Sequence, residues 1–242
     1  CDTLRSTNFD PGGFAEYVRV PEINVDRGVF VLPDNMSLED GTLIEPLACV
    51  VRGQRLARIE PGQTVVVIGS GISGLLHILL ARASGAGKII ATDISEYRMD
   101  MAGKLGADSV ISAHDDLPSH LLKLNGNRLA DRVIATAGAV PALETALKSV
   151  GRGGTVLFFA PGGPDVELHV PFNDFWRDCI TLMPTYGASP IDIEVAIKLI
   201  SSNRVPVQDM ITHRLGLAET ERGFKLVTDA KESIKVIIEP HK

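Results

Sequence analysis

Cysteine is scarce in this 242-residue chain: Cys1, Cys49 and Cys179 are the only three, they lie far apart, and no CxxC pair occurs. An odd, scattered set argues against a disulfide scaffold and fits a reducing compartment, so the expected location is the cytoplasm. No run of lysine and arginine is present, and 24 basic against 30 acidic residues leave a formal charge of −6. The electrostatic footprint for nucleic-acid backbone or anionic lipid is therefore missing. Long apolar runs are missing too, since the stretch Leu75 to Ala83 is interrupted by His77 and Arg82 and is too short to span a bilayer. There is no repeat of fixed period, which argues against a solenoid. The first residue is not Met, and no basic-then-apolar leader precedes Asp2. The expectation is an internal fragment that has lost upstream residues.

What is present is the composition of a folded globular chain. Hydrophobic residues make up 45% and charged residues 22%, and 23 Gly with 14 Pro imply many short turns between elements. The length allows one large or two small domains with a substantial core.

From Thr64 to Val110 the pattern reads strand, Gly turn, helix, strand, helix, strand, the alternation of a parallel sheet covered on both faces. Thr64-Val65-Val66-Val67-Ile68 is a continuous β-branched run, as a strand buried on both faces should be. Leu75 to Ser84 predicts a helix stopped at Gly85, Lys88 to Thr92 a strand, Ser95 an N-cap for a helix through Lys104, and Ser109 to Ile111 a short strand. A looser second half follows: strands at Asp131 to Ala135, Gly154 to Ala160 and Cys179 to Met183, and a helix at Pro141 to Val150. The fold expected is an α/β Rossmann doubly wound parallel sheet over 46–187, flanked by 1–45 and 188–242. Short β-type runs in Asp10 to Asp40, with alternating helix and strand from Ile191 on, predict that the flanks pack as a second domain.

Gly69-Ser70-Gly71-Ile72-Ser73-Gly74 is a GxGxxG motif that directly follows a strand and opens a helix, the context its mechanism requires. Gly69 permits a tight turn, Gly71 lets backbone approach a pyrophosphate, and Gly74 lets helix and strand pack closely, with the phosphate at the helix N-terminus. The alternative is a plain strand-to-helix turn. Asp93, 19 residues after Gly74, ends the second strand, where a carboxylate can accept from both adenosine-ribose hydroxyls and repel a 2′-phosphate. That favours NAD. Asp93 could instead cap the next helix, and Arg98 could be a solvated helix residue or soften the repulsion.

Taken together, Gly12-Gly13-Phe14-Ala15-Glu16-Tyr17, Leu32-Pro33-Asp34, Glu45-Pro46-Leu47-Ala48-Cys49, the GxGxxG turn, Gly106-Ala107-Asp108 and Ile211-Thr212-His213-Arg214 resemble the zinc-dependent medium-chain dehydrogenases. The likeness is to the sorbitol, polyol and threonine dehydrogenase branch. It implies that the flanks belong to a β-rich, GroES-like catalytic domain and that Glu45 is the catalytic residue here, reaching the catalytic zinc or its water. Glu45 could equally satisfy helix N-terminal donors. The resemblance also implies that Cys1 stands where a structural-zinc cysteine would, although its three partners are absent and a free terminal thiol is the plainer reading. Cys49 reads as packing and the six histidines as non-ligands. Ile94 and Arg98 accompany Asp93 at the cofactor. Thr136-Ala137 lie near the nicotinamide ribose, where the order of Thr and Ala is reversed from the usual one. Ala160-Pro161 and Thr185-Tyr186 resemble the segments that hold the carboxamide.

The activity implied is oxidation of a secondary alcohol, of polyol, sugar-alcohol or L-threonine type, by hydride transfer to NAD with zinc as Lewis acid. The partners expected are a small-molecule alcohol and further copies of the chain, as a dimer or tetramer joined near Pro161 to Phe175, with neither nucleic acid nor membrane. A zinc-free reductase and a non-catalytic dinucleotide-binding module remain open from sequence.

Overall fold

The structure is a computed structural model that describes residues 9–242. Its centre is a six-stranded, wholly parallel sheet in the order β3-β2-β1-β4-β5-β6. Three helices precede the first strand: α1 (Glu22–Gly28), α2 (Leu38–Gly41) and α3 (Ile44–Leu56). Then come β1 (Thr64–Ile68), α4 (Ile72–Ala83), β2 (Lys88–Asp93), α5 (Glu96–Lys104), β3 (Ser109–Ser112), α6 (Leu117–Leu124), β4 (Ala130–Ala135), α7 (Val140–Ser149), β5 (Val150–Phe158), α8 (Phe172–Arg177) and β6 (Thr181–Pro184). The chain ends in α9 (Pro190–Ser201), β7 (Ile211–Gly216), α10 (Thr220–Asp229) and β8 (Lys235–Glu239), with β7 and β8 forming a separate parallel pair.

All five residues of β1 are buried, and successive side chains feed opposite faces. Val65, Val67, Ile89, Ala91, Ile134 and Leu157 belong to one core, packed with α3, α4, α5 and α9. Val66, Ile68, Ile90, Val133, Ala135 and Val156 belong to the other, with α6 and α7. A strand has period two, so a sheet covered on both sides needs apolar residues at every position. This is why the β-branched run was readable. The crossing point at which strand order reverses lies between β1 and β4, and it brings the C-terminal ends of β1, β2, β4 and β5 to one edge.

Several expectations need correcting. Nothing was expected between Ile111 and Asp131, yet α6 lies there, capped by Asp116 and burying Leu117 and Leu121. β5 starts at Val150 rather than Gly154, because Val150 pairs with Ala130 before a register shift. β6 starts at Thr181, since Cys179 turns the chain at φ +53°. The β-type runs of the N-terminal flank are not strands: among the described residues of that flank, β-pairing is limited to the single bridge between Asp10 and Arg19, and Glu22–Gly28 is helical. Phe14, Tyr17, Ile23 and Val31 are exposed, Val31 at 91%. A strand without a neighbour to take its hydrogen bonds does not persist.

The two flanks do meet. Arg214 on β7 makes a double hydrogen bond to Glu39 on α2, at 2.5 and 2.7 Å, and Gln208 donates to Asp40 at 2.9 Å. Phe14 and Phe224 stack edge to face at 5.3 Å. On the other side α9 docks on α3 through Asp192, which accepts from Arg55 at 2.7 Å.

Candidate functional site

The chain leaves β1 through Gly69 at φ +94°, where a Cβ would sit 2.9 Å from Thr136 Oγ1, so both conformation and space call for glycine. Gly71 is the N-cap of α4 in extended backbone, φ −70° and ψ −171°, and the first turn of the helix carries neither a side-chain cap nor a carboxylate. That leaves a helix N-terminus with its partial positive charge and free amides available to an anion. A Cβ on Gly71 would meet just the tip of the Arg98 guanidinium, at 3.9 Å, so the space over the turn is open. A Cβ on Gly74, by contrast, would overlap the carbonyl oxygen of Gly69. The open ground above Gly71, with a helix end under it, suits a diphosphate.

Ile72 and Ser73 lie in that first turn, half-buried. Ser70 is fully buried, and both its groups are used internally: Oγ donates to Thr92 O at 3.1 Å and the amide to Asp93 Oδ2 at 2.7 Å. Asp93 also accepts the Ser95 amide on Oδ1 at 2.9 Å. The carboxylate thus braces the glycine turn and supports the N-cap of α5, while each oxygen keeps a second lone pair for a hydroxyl. It lines a cavity of about 440 Å³ together with Ile94, Arg98, Ala137, His114 and Asp115. Ile94 is 73% exposed and presents an apolar surface there.

Arg98 is not a solvated helix residue. It is half-buried, leans toward Gly71, and its Nε is buried without a hydrogen-bond partner. An unpaired buried guanidinium nitrogen beside an uncapped helix N-terminus is the strongest indication of an anionic ligand at this place. His114 and Asp115, on the loop after β3, and Thr145 on α7 were missed from sequence. The available signal was topological: the loop after β3 and helix α7 both lie at the sheet edge formed by the C-terminal ends of the parallel strands.

At the other end of the sheet edge, Thr136 Oγ1 lies within hydrogen-bond reach of the carbonyls of Ile68, at 3.0 Å, and Gly69, at 2.8 Å. Its hydroxyl thereby ties the end of β4 to the glycine turn, and its side chain is spent inside the protein. A Cβ on Gly138 would overlap the Pro161 carbonyl oxygen, so the β4 and β5 exits abut. Ala160 and Thr185 lie together on a second cavity of about 430 Å³ with Phe159, Pro161 and Tyr186. The Thr185 amide donates to Phe158 O at 3.3 Å.

Glu45 is exposed in the first turn of α3 and accepts from Cys49 Sγ at 3.2 Å. Burial pushes the Cys49 thiol up to about 12, helped by the hydrogen bond and charge of Glu45. Burial also holds Lys235 below its usual range, against the opposing pull of Glu45. Among the described residues no three His, Cys, Asp or Glu side chains gather into a group that could hold a metal. Glu45 and Cys49 make two donors, and zinc takes four. These residues do not by themselves fit a zinc centre. Cys1 lies outside the described residues.

The zinc-binding dehydrogenase family model matches residues 73–202, more than half of the chain. The chain belongs to the zinc-binding dehydrogenase family. It is 35% identical to "Probable D-xylulose reductase A" of Aspergillus clavatus over 94% of its own length, and 30% identical to the sorbitol dehydrogenase of Bacillus subtilis over 96%. It spans 63% and 64% of those two relatives. A zinc-binding dehydrogenase of Sinorhizobium meliloti 1021, solved bound to NADP, superposes with a TM-score of 0.85 at 26% identity, covering 95% of this chain and 66% of that one. No helix among the described residues is long and apolar enough to cross a membrane.

Proposed function

We propose that this chain is the dinucleotide-binding part of a dehydrogenase that transfers hydride from a secondary alcohol of the polyol kind to NAD. The observation that carries the reading is the open glycine turn under Arg98, with Asp93 on the adjoining cavity. In this reading the amides of Ile72, Ser73 and Gly74 and the Arg98 guanidinium hold the pyrophosphate. Asp93 accepts from the adenosine ribose, and Ile94 lies against the base. Backbone at Ala137, Ala160 and Thr185 borders the nicotinamide, which when bound accepts the hydride. The unit is assigned to 46–187, with 1–45 and 188–242 as parts of a catalytic domain.

The relatives named for sorbitol and xylulose motivate the polyol class. Glu45 is proposed as one donor toward a catalytic zinc. No further donor for it is gathered among the described residues. Self-association near Pro161 to Phe175, the connection that leads to the outer strand β6, is proposed as the route to a dimer or tetramer.

Calorimetric titration with NAD and NADP tests the reading. NAD should bind at least about tenfold more tightly, because a 2′-phosphate beside Asp93 meets a like charge. Asp93→Ser should weaken NAD and narrow the gap. It should not create strong NADP binding, since it also removes the brace on the Ser70 amide. Equal affinities for the two cofactors in the unmodified chain would rule out the assigned role of Asp93.

A further inference from the structure

His77 is a buried polar side chain outside the cavities described above. It lies on α4, three residues past Gly74, with none of its surface exposed. Burial pushes its imidazole down to about 3, so the ring is neutral at ordinary pH. Its tautomer follows from its neighbour. Gln54 Nε2, on α3, lies 2.8 Å from the His77 carbonyl oxygen, an acceptor, and that fixes the atom as the amide NH2. The same nitrogen lies 3.2 Å from His77 Nδ1. Nδ1 therefore accepts, and the proton sits on Nε2. That N–H is buried and has no hydrogen-bond partner.

What the ring does meet is Phe159. The two rings stand perpendicular, at 90°, with centroids 4.6 Å apart. Phe159 is the first residue past β5 and adjoins Ala160 on the cavity assigned to the nicotinamide. The contact is hemmed in from α3: a Cβ on Gly53 would lie 3.2 Å from Leu157, 3.4 Å from Thr185 and 3.5 Å from Phe159 side-chain atoms. Three elements, α3, α4 and the exit of β5, meet at this ring pair, and Thr185 past β6 lies against α3 at Gly53. A leucine would fill comparable space with no buried N–H to satisfy, whereas an imidazole N–H can donate to an aromatic face.

We propose that His77 is a positioning residue whose Nε2–H holds Phe159, so that the Phe159-Ala160 backbone at the nicotinamide end is locked to the helix that begins at the phosphate turn. The inference rests on the dinucleotide reading above and adds a role for a residue outside the binding surface.

The test compares NADH with ADP-ribose, which keeps the adenosine and diphosphate but lacks the nicotinamide. In His77→Leu, the Kd for NADH should rise about tenfold while that for ADP-ribose stays within about twofold. His77→Gln retains an N–H near the Nε2 position and should restore NADH binding to within about twofold. Phe159→Leu should show the same selective loss, and the double variant should be no worse than either single one, because both remove one contact. Parallel loss of NADH and ADP-ribose in both leucine variants would mean a purely structural role and overturn the proposal. Unchanged NADH affinity in both would overturn it as well, and a glutamine variant as weak as His77→Leu would remove the N–H from the explanation. An unmodified chain that bound neither ligand would bring down the dinucleotide reading and this inference with it. One that bound both, beside variants that also bound both, would sink the inference alone.

Discussion

Gly71→Val should abolish measurable dinucleotide binding, weakening it about 100-fold or more, while leaving the fold intact. The backbone at Gly71 is in a region open to any residue, and its Cβ would find nothing closer than the flexible tip of Arg98 at 3.9 Å. The cost to the folded chain is that of a poor N-cap residue, about 1 kcal/mol. The valine methyls, however, would stand over the helix N-terminus in the space a diphosphate needs. Calorimetry with NADH, beside far-ultraviolet circular dichroism and a thermal melt, reads both halves of this expectation. Gly74→Ala supplies the contrast: its Cβ collides with the Gly69 carbonyl, so it should lose thermal stability and binding together. If Gly71→Val kept its affinity, the turn would be a connector and not a cradle.

Asp192→Ala should be the most destabilising polar substitution outside the turn. The side chain is 1% exposed at the start of α9 and accepts from Ser189 N at 2.9 Å, Ser189 Oγ at 2.6 Å and Arg55 at 2.7 Å. Losing a cap and an interhelical charge-assisted hydrogen bond should cost about 2–4 kcal/mol and lower Tm by roughly 5–10 °C. Burial of Asp192 works to raise its carboxyl, and the hydrogen bonds from Ser189 and Arg55 outweigh it, so the group sits below its ordinary value of 3.8. The sign follows: a depressed folded value means that the contribution is complete above about 3.8 and is lost as pH falls through the lower folded value. Urea titrations at stepped pH should show the difference between Asp192→Asn and the parent constant from pH 7 to about 5 and shrinking below the ordinary carboxylate range. A difference that kept its size in strong acid would show that the pair contributes packing and not charge.

The legible parts of this molecule are those in which a single local rule dominates. The run Thr64 to Ile68 announces a doubly covered strand because no apolar position is missing from Val65 to Ile68, and Gly69 and Gly74 announce the turn because each answers a separate steric demand. Ser95 was found as an N-cap for the same reason. What escaped depends on distant neighbours. His114 and Asp115 carry no motif and reach the cavity through strand order. The inward hydroxyl of Thr136 depends on carbonyls some seventy residues away in sequence. Arg98 was placed at the cofactor through its nearness to Asp93 in sequence, and nothing local reveals that it leans over Gly71. The N-terminal flank misled because Val18, Val20 and Val29 have strand propensity, and propensity is realised only against a partner.

The brace between Asp93 and the Ser70 amide has a consequence for how cofactor preference can drift in this lineage. On the reading proposed above, the residue that discriminates between the two dinucleotides is also a strut of the turn that both of them need. A change to a small residue at 93 removes the repulsion and the strut in one step, so the first intermediate binds neither cofactor well. Asparagine escapes this trap, because its side-chain oxygen can still accept the Ser70 amide while the negative charge is gone. On that reading, the path from one dinucleotide to the other that keeps the strut runs through Asp93→Asn.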